Sequence, residues 1–331
     1  MRAIQMIAVT VSLTITATLL AVLAPAAAQD WPSRPVTMVV PFAAGSGSDI
    51  LGRIIAPRLG DGLGATVIVD NVGGAGGMIG AARVMKATPD GYQLLLATAG
   101  TQAMNQTLYK KPLYNSATDF APVALVASTP ILLVTRKDLP ADDLPAFIAY
   151  AKAHQTTMQY GSPGAGSASH LACVLFNAAI GVEITHVPYR STAQALQDLL
   201  PGRLDYQCVP IAAAVPQIES RSVKGIAIMT KMRSPILTAL PTAHEQGLTD
   251  FEADTWYAIF LPKGTPAAIV QKLHDATVAT MNSPDVQARL EELGIEVVAP
   301  ERRSPEYLAR FVAREIEKWA GPIKAAGLSM D

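Results

Sequence analysis

The sequence predicts an α/β protein of two doubly wound lobes, and three observations predict it. Strand-like and helix-like segments alternate along most of the chain, the rhythm of mainly parallel sheets covered on both faces. About 300 residues follow an apolar N-terminal segment, more than one hydrophobic core usually organises. A unit of strand, small-residue turn and helix occurs twice, once in each half.

The N-terminus comes first. Arg2 is the only charge before Asp30, an apolar run extends from Ile4 to Leu23, and Pro25 breaks it ahead of Ala26-Ala27-Ala28. Charge, apolar run and small residues in that order describe a secretory signal peptide cleaved after Ala28. A membrane anchor is the alternative for a run approaching the ~20 residues that span a bilayer. Threonines dilute the run, however, and the cleavage flank follows directly. Residues 1–28 therefore read as a leader, and the mature protein is expected in the periplasm.

Val36–Val40 is a β-rich run ending at Pro41, and the apolar spacing of Ile50, Leu51, Ile54, Ile55 and Leu59 is helical until Pro57 and Gly60 end it. Thr66–Val69 reads as a strand, Ile79–Lys86 as a helix, and Gln93–Ala97 as a strand opened by the turn Pro89-Asp90-Gly91. A second cycle starts after Pro130. It runs through strand Ile131–Thr135, helix Leu144–His154, strand Met158–Tyr160 and a helix carrying Leu171, Leu175, Phe176 and Ala179. Strand Ile184–Val187, helix Ala193–Leu200 and strands Leu204–Cys208, Gly225–Met229 and Trp256–Leu261 follow. The chain closes with helices at Ala268–Asn282, Pro284–Leu293 and Pro305–Ala325.

The repeated unit is Met38 to Ile50 in the first half and Met158 to Leu171 in the second. Each turn delivers glycine and serine to the first turn of a helix, where unpaired N–H groups and a partial positive charge attract anions. A simple helix cap explains either turn alone; two at matching places point to an anion held between the lobes. Other motifs fall away. Gly74-Ala-Gly76-Gly-Met-Ile-Gly80 loosely follows a dinucleotide fingerprint, but Asn71-Val72 intervene and the only acidic residue near the ribose-binding spacing, Asp90, sits in a Pro-Asp-Gly turn, so a structural turn is preferred. Gly45-Ser46-Gly47-Ser48-Asp49 has the wrong frame for a nucleophile elbow. The histidines at 154, 170, 186, 244 and 274 lack metal-ligand spacing, and no cofactor is expected.

Without the leader the chain keeps 25 basic against 27 acidic residues, and no basic patch is visible, which argues against nucleic acid as a partner. The two cysteines, Cys173 and Cys208, can bridge in an oxidising compartment or remain buried thiols; their spacing leaves both open.

The segments Trp31-Pro-Ser-Arg-Pro-Val, Val39-Val-Pro-Phe-Ala-Ala-Gly, Asn71-Val-Gly-Gly-Ala-Gly-Gly, Pro89-Asp-Gly-Tyr, Asp119-Phe-Ala-Pro-Val, His186-Val-Pro-Tyr and Pro262-Lys-Gly-Thr-Pro together resemble the periplasmic solute receptors of tripartite tricarboxylate transporters, the Bug family. The match runs in order along the mature chain. It implies the two-lobed periplasmic-binding-protein (Venus-flytrap) fold with hinge strands, a small organic-acid ligand and delivery to membrane permease subunits; the receptor itself is expected to be a monomer. It further implies a carboxylate held by backbone amides, hydroxyls and ordered waters rather than by an arginine.

Carried over by motif, the first-lobe site is Phe42, Ala43, Ala44, Gly45, Ser46, Gly47, Ser48 and Asp49, followed by Thr98, Gly100 and Thr101. The second lobe contributes Ser162, Gly164, Gly166, Ser167 and His170. Tyr189, Arg190 and Trp256 form walls. Lobe boundaries are expected at residues 29–128 plus 255–331, and 129–254. One departure stands out: where many relatives carry Phe-Asp, this chain has Cys208-Val209. An apolar Val209 wall suits an aliphatic or aromatic acid without an amine, and Cys208 then lies on the same side as Cys173, which favours the bridge. The rival reading is a secreted α/β hydrolase using Ser48 or Ser167 with His170, but no complete nucleophile, base and orienter can be assembled.

Overall fold

The computed structural model describes residues 31–249 and 251–331; the leader expected at 1–28 and its cleavage point at Ala28 lie outside them. β1 (Val36–Val40) is a β-branched run lying between β2 (Val67–Asn71) and β3 (Gln93–Thr98), parallel to both. Parallel neighbours need crossover connections. α1 (Gly47–Leu63) supplies the first and α2 (Met78–Met85) the second.

α1 does not stop at Pro57 and Gly60 as the sequence suggested. It runs to Leu63 and ends at Gly64, whose φ of 72° gives the left-handed cap. Pro57 is exposed. The hydrogen bond that Pro57 cannot donate is therefore missing on the solvent side of the helix.

β4 (Phe120–Arg136) is the spine of the molecule. Its first part pairs antiparallel with β9 (Asp254–Pro262), from Phe120 opposite Pro262 to Pro130 opposite Asp254. Its last six residues pair instead with β7 (Tyr206–Pro210) and β8 (Val223–Ile228). The sequence placed the start of this strand after Pro130, because Pro122 and Pro130 lack the N–H a ladder uses. The strand absorbs Pro122 through register shifts between Pro122 and Ala124 and between Leu125 and Ala127, and changes partner at Pro130.

Beyond β7 lie β5 (Gln159–Ser162) and β6 (Thr185–Pro188), completing a sheet of order β2-β1-β3-β9-β4-β7-β5-β6, with β8 and β10 (Glu296–Val297) also on β4. The sheet is mixed rather than mostly parallel: the outer strands pair in parallel, while β4 and β9 are antiparallel to every neighbour. A strand that doubles back through both halves cannot be reached by right-handed βαβ crossovers alone.

Helices α4 (Leu144–His154), α5 (Ala168–Ile180), α6 (Thr192–Leu199), α7 (Ile211–Glu219), α8 (Ala267–Met281), α9 (Pro284–Glu291) and α10 (Pro305–Ala325) cover the sheet. α3 (Asn105–Leu108) follows a π turn at Gly100–Met104. That turn, α7 and β10 carry no clear sequence signal. Cys173 of α5 and Cys208 of β7 form a disulfide, with Cα atoms 5.5 Å apart and both side chains fully buried.

Candidate functional site: two helix N-termini around one cavity

The chain leaves β1 at Pro41 and enters α1 through Ser46, whose hydroxyl accepts the Asp49 N–H at 3.2 Å. In the other half the chain leaves β5 at Ser162 and enters α5 through Ser167, whose hydroxyl accepts the His170 N–H at 3.2 Å. Both serines are N-caps, and both helices aim their first turns at the same cavity.

That cavity is lined by Phe42, Ser46, Gly47, Ser48, Thr98, Pro163, Ser167, Ala168, Ser169, Thr192, Pro210, Thr255 and Tyr257. Eight of these thirteen carry hydroxyls and none is charged. The first N–H groups of a helix have no partner within it, so Gly47 and Ser48 on one side and Ala168 and Ser169 on the other present donors at two positive helix ends. Donors and dipoles without a counter-charge suit an anion and leave a cation unmatched.

Sequence-predicted residues divide on this geometry. Phe42, Ser46, Gly47, Ser48, Thr98 and Ser167 line the cavity. Ala44 is exposed, and the Ala43 N–H donates to the Arg190 carbonyl at 3.2 Å, joining the two turns. Asp49 points away: its carboxylate accepts from the Gly45 N–H, the Arg53 guanidinium and the Asn71 amide, each at 2.9 Å. Burial alone would raise the Asp49 carboxyl, but these hydrogen bonds and the Arg53 charge outweigh it and hold it below its usual range. Thr101 ties back to Thr98, its hydroxyl donating to the Thr98 carbonyl at 3.0 Å. Arg190 is exposed, and Tyr189 spends its hydroxyl on Asp198 at 2.8 Å.

Trp256 and Val209 face away from the cavity. The Trp256 indole donates to Glu315 on α10 at 2.9 Å, and Val209 packs in the cluster of Leu132, Val134, Leu196 and Leu199. Their neighbours Thr255, Tyr257 and Pro210 hold the wall instead, since successive strand residues point to opposite faces.

The halves meet on glycine. Gly76 has φ of 58°, and a Cβ there would lie 2.4 Å from the Ala165 carbonyl; a Cβ on Gly166, at φ 86°, would lie 2.6 Å from Asn105 Oδ1. Both positions therefore exclude larger side chains twice over, by conformation and by space. Within the glycine-rich stretch from Gly74 to Gly80, Gly76 is thus a point of close contact with the other half.

Behind Ser167 sit two histidines. The Gly166 N–H donates to His170 Nδ1 at 3.3 Å, the Ser162 hydroxyl meets His186 Nε2 at 2.7 Å, and the rings lie 4.3 Å apart. Burial, and for His170 the adjacent His186, pushes His170 down to about 3 and His186 down to about 4. A neutral His170 is also what an Nδ1 acceptor requires. The unfolded chain takes up protons from about pH 6.5 downward while the folded rings do not, so stability falls with pH through that window. Between pH 6.5 and 5 we expect a loss of roughly 1 kcal/mol per pH unit for each ring. Urea midpoints measured across that interval check it, and His170→Gln with His186→Gln should flatten the slope.

No hydrolase constellation assembles. The Ser167 hydroxyl donates to the Gly164 carbonyl at 2.7 Å rather than to His170, and Ser48 lies 3.2 Å from Ser46. Among the described residues no cluster of His, Cys, Asp and Glu is arranged to hold a metal ion, and no helix is long and apolar enough to cross a membrane.

Residues 51–328 match the family described as the tripartite tricarboxylate transporter family receptor. The chain belongs to this family. It is 40% identical over 303 residues to the UPF0065 protein in the TAR-I ttuE-ttuC' intergenic region of Agrobacterium vitis, covering 91% of this chain and 87% of that one. It is 33% identical to protein BugT of Bordetella pertussis, over 93% of this chain and 94% of that one. MatC of Rhodopseudomonas palustris, solved with bound malate, superimposes with a TM-score of 0.86 at 39% identity, covering 88% of this chain and 100% of that one. A second R. palustris protein, solved with adipate, gives 0.86 at 37% identity, with 90% of this chain and 99% of that one covered. This family of solute-binding receptors accommodates the hydroxyl-lined cavity described above and not the serine–histidine alternative.

Proposed function

We propose that this chain is a periplasmic receptor that captures a small dicarboxylic acid and passes it to the membrane subunits of a tripartite tricarboxylate transporter. The observation that carries the reading is the meeting of two helix N-termini at one uncharged, hydroxyl-lined cavity. Each helix end contributes roughly half a positive charge, so two ends suit two carboxylates. Malate in MatC and adipate in its R. palustris counterpart are both dicarboxylates, which supports the same class here.

The leader is removed after Ala28, and the mature chain works as a monomer without cofactor. Its lobes are residues 29–128 with 255–331, and 129–254. The boundary falls where Ser128, Thr129 and Pro130 pair with Trp256, Thr255 and Asp254, the rungs at which β4 changes partners. The lobes close about these strands by hinge motion. Capture makes and breaks no bond, so the protein is not an enzyme.

The lining also argues for a ligand without an amine, because no carboxylate stands in the wall to meet an ammonium group. A thermal-shift screen of the mature protein against mono-, di- and tricarboxylates, sugars and aspartate tests the proposal. A dicarboxylate should raise the melting temperature with concentration, and aspartate should raise it less. Shifts from sugars alone would refute the carboxylate reading.

A further inference from the structure

Thr255 lies on β9 in the cavity wall, two residues nearer the proposed hinge than Tyr257. It is 2% exposed, and its hydroxyl has no hydrogen-bond partner. Its cross-strand neighbour on β4 is Thr129, 1% exposed, whose hydroxyl also lacks a partner. Directly opposed residues of an antiparallel pair share a face. The wall at the change-over rung therefore carries the orphan hydroxyl of Thr255, with the orphan hydroxyl of Thr129 beside it on β4, outside the cavity lining. Leaving a buried hydroxyl unpaired costs about 1–3 kcal/mol, so such a pair implies a partner that completes it.

The charge of the surroundings identifies that partner. The cavity's positive ends are the first turns of α1 and α5, and no cationic side chain lines the wall. A carboxylate placed at Thr255 would be a buried charge with only neutral hydroxyls around it, which is costly. A ligand hydroxyl is neutral and both donates and accepts, so it can satisfy a threonine hydroxyl in either sense. We propose that Thr255, backed by Thr129, is a specificity residue that selects dicarboxylates bearing a hydroxyl group over their unsubstituted analogues. The inference rests on the carboxylate reading: the helix ends hold the charges, and Thr255 reads the carbon chain between them.

The test compares L-malate, D-malate and succinate by titration calorimetry on the mature protein, on Thr255→Val and on Thr255→Ser. The wild-type protein should bind one malate enantiomer about ten-fold or more tighter than succinate. Thr255→Val should lose that preference, with malate affinity falling more than succinate affinity, and Thr255→Ser should keep it. Valine is nearly isosteric and removes an unsatisfied hydroxyl, so its unliganded melting temperature should not fall. Equal binding of malate and succinate by the wild-type protein, or an undiminished preference in Thr255→Val, would overturn the assignment and leave the carboxylate reading standing. Failure of all three acids to bind, with other dicarboxylates failing too, would overturn both.

Discussion

Replacing Cys173 and Cys208 together with alanine should lower the melting temperature by roughly 5–10 °C and weaken ligand binding. The bridge closes a loop spanning 35 residues, with Cα atoms 5.5 Å apart. By chain-entropy reasoning such a loop is worth roughly 3–4 kcal/mol to the folded state, a large share of a net stability of about 5–15 kcal/mol. The binding effect has a separate cause. Cys173 lies in the part of α5 that follows Ser167, Ala168 and Ser169, while Cys208 lies two residues before Pro210, so the bridge joins two walls of the cavity. Without it, α5 and β7 are held by packing and by the Tyr206 hydroxyl donating to Asn177 at 2.7 Å, and the donors at the N-terminal end of α5 lose a covalently fixed distance from Pro210. Both sulfurs are fully buried, so mild reductant should act slowly on the native protein. Scanning calorimetry of the double variant beside the parent decides the matter; a difference under about 2 °C would remove the bridge from the stability argument.

Elements with caps and one wet face were legible from sequence. α4 and α10 begin and end where their patterns placed them, behind the capping residues Asp143 and Ser304. Both small-residue turns were legible as helix entries as well, with Ser46 and Ser167 capping the helices that follow. What was not legible lies on strands buried on both faces, in a bulged strand and in a long-range contact. β9 and β7 are buried on both faces along nearly their whole length. A strand without a wet face shows no alternation, so its parity cannot be read. The sequence therefore pointed to Trp256 and Val209, where the structure puts Tyr257, Thr255 and Pro210 in the wall. The first half of β4 was hidden by prolines that a bulge accommodates. The Asp49 network depends on Asn71, 22 residues away on β2, a separation that no local pattern reports.

Gly47→Ala should weaken dicarboxylate binding about 100-fold or more, a loss of roughly 2.7 kcal/mol, with the secondary structure intact. A methyl group at this position would lie 2.6 Å from the Tyr257 hydroxyl and 3.2 Å from Pro210 Cβ. Neither neighbour can withdraw: Tyr257 is 2% exposed among core residues, and Pro210 is fixed at the end of β7. Relief must come from parting α1 from the strands opposite, which opens the site where the Gly47 and Ser48 N–H groups face the ligand. Overpacking of this kind typically costs about 1–3 kcal/mol. The helix itself gains, because alanine is a better helix former than glycine by about 1 kcal/mol. The two effects oppose each other in folding and not in binding, so the melting temperature without ligand should move little while affinity collapses. Gly321→Ala is the matched control: glycine 321 also lies within a helix, but a Cβ there meets nothing within 4 Å, and both stability and affinity should survive. Undiminished binding by Gly47→Ala would mean that the end of α1 does not hold the ligand.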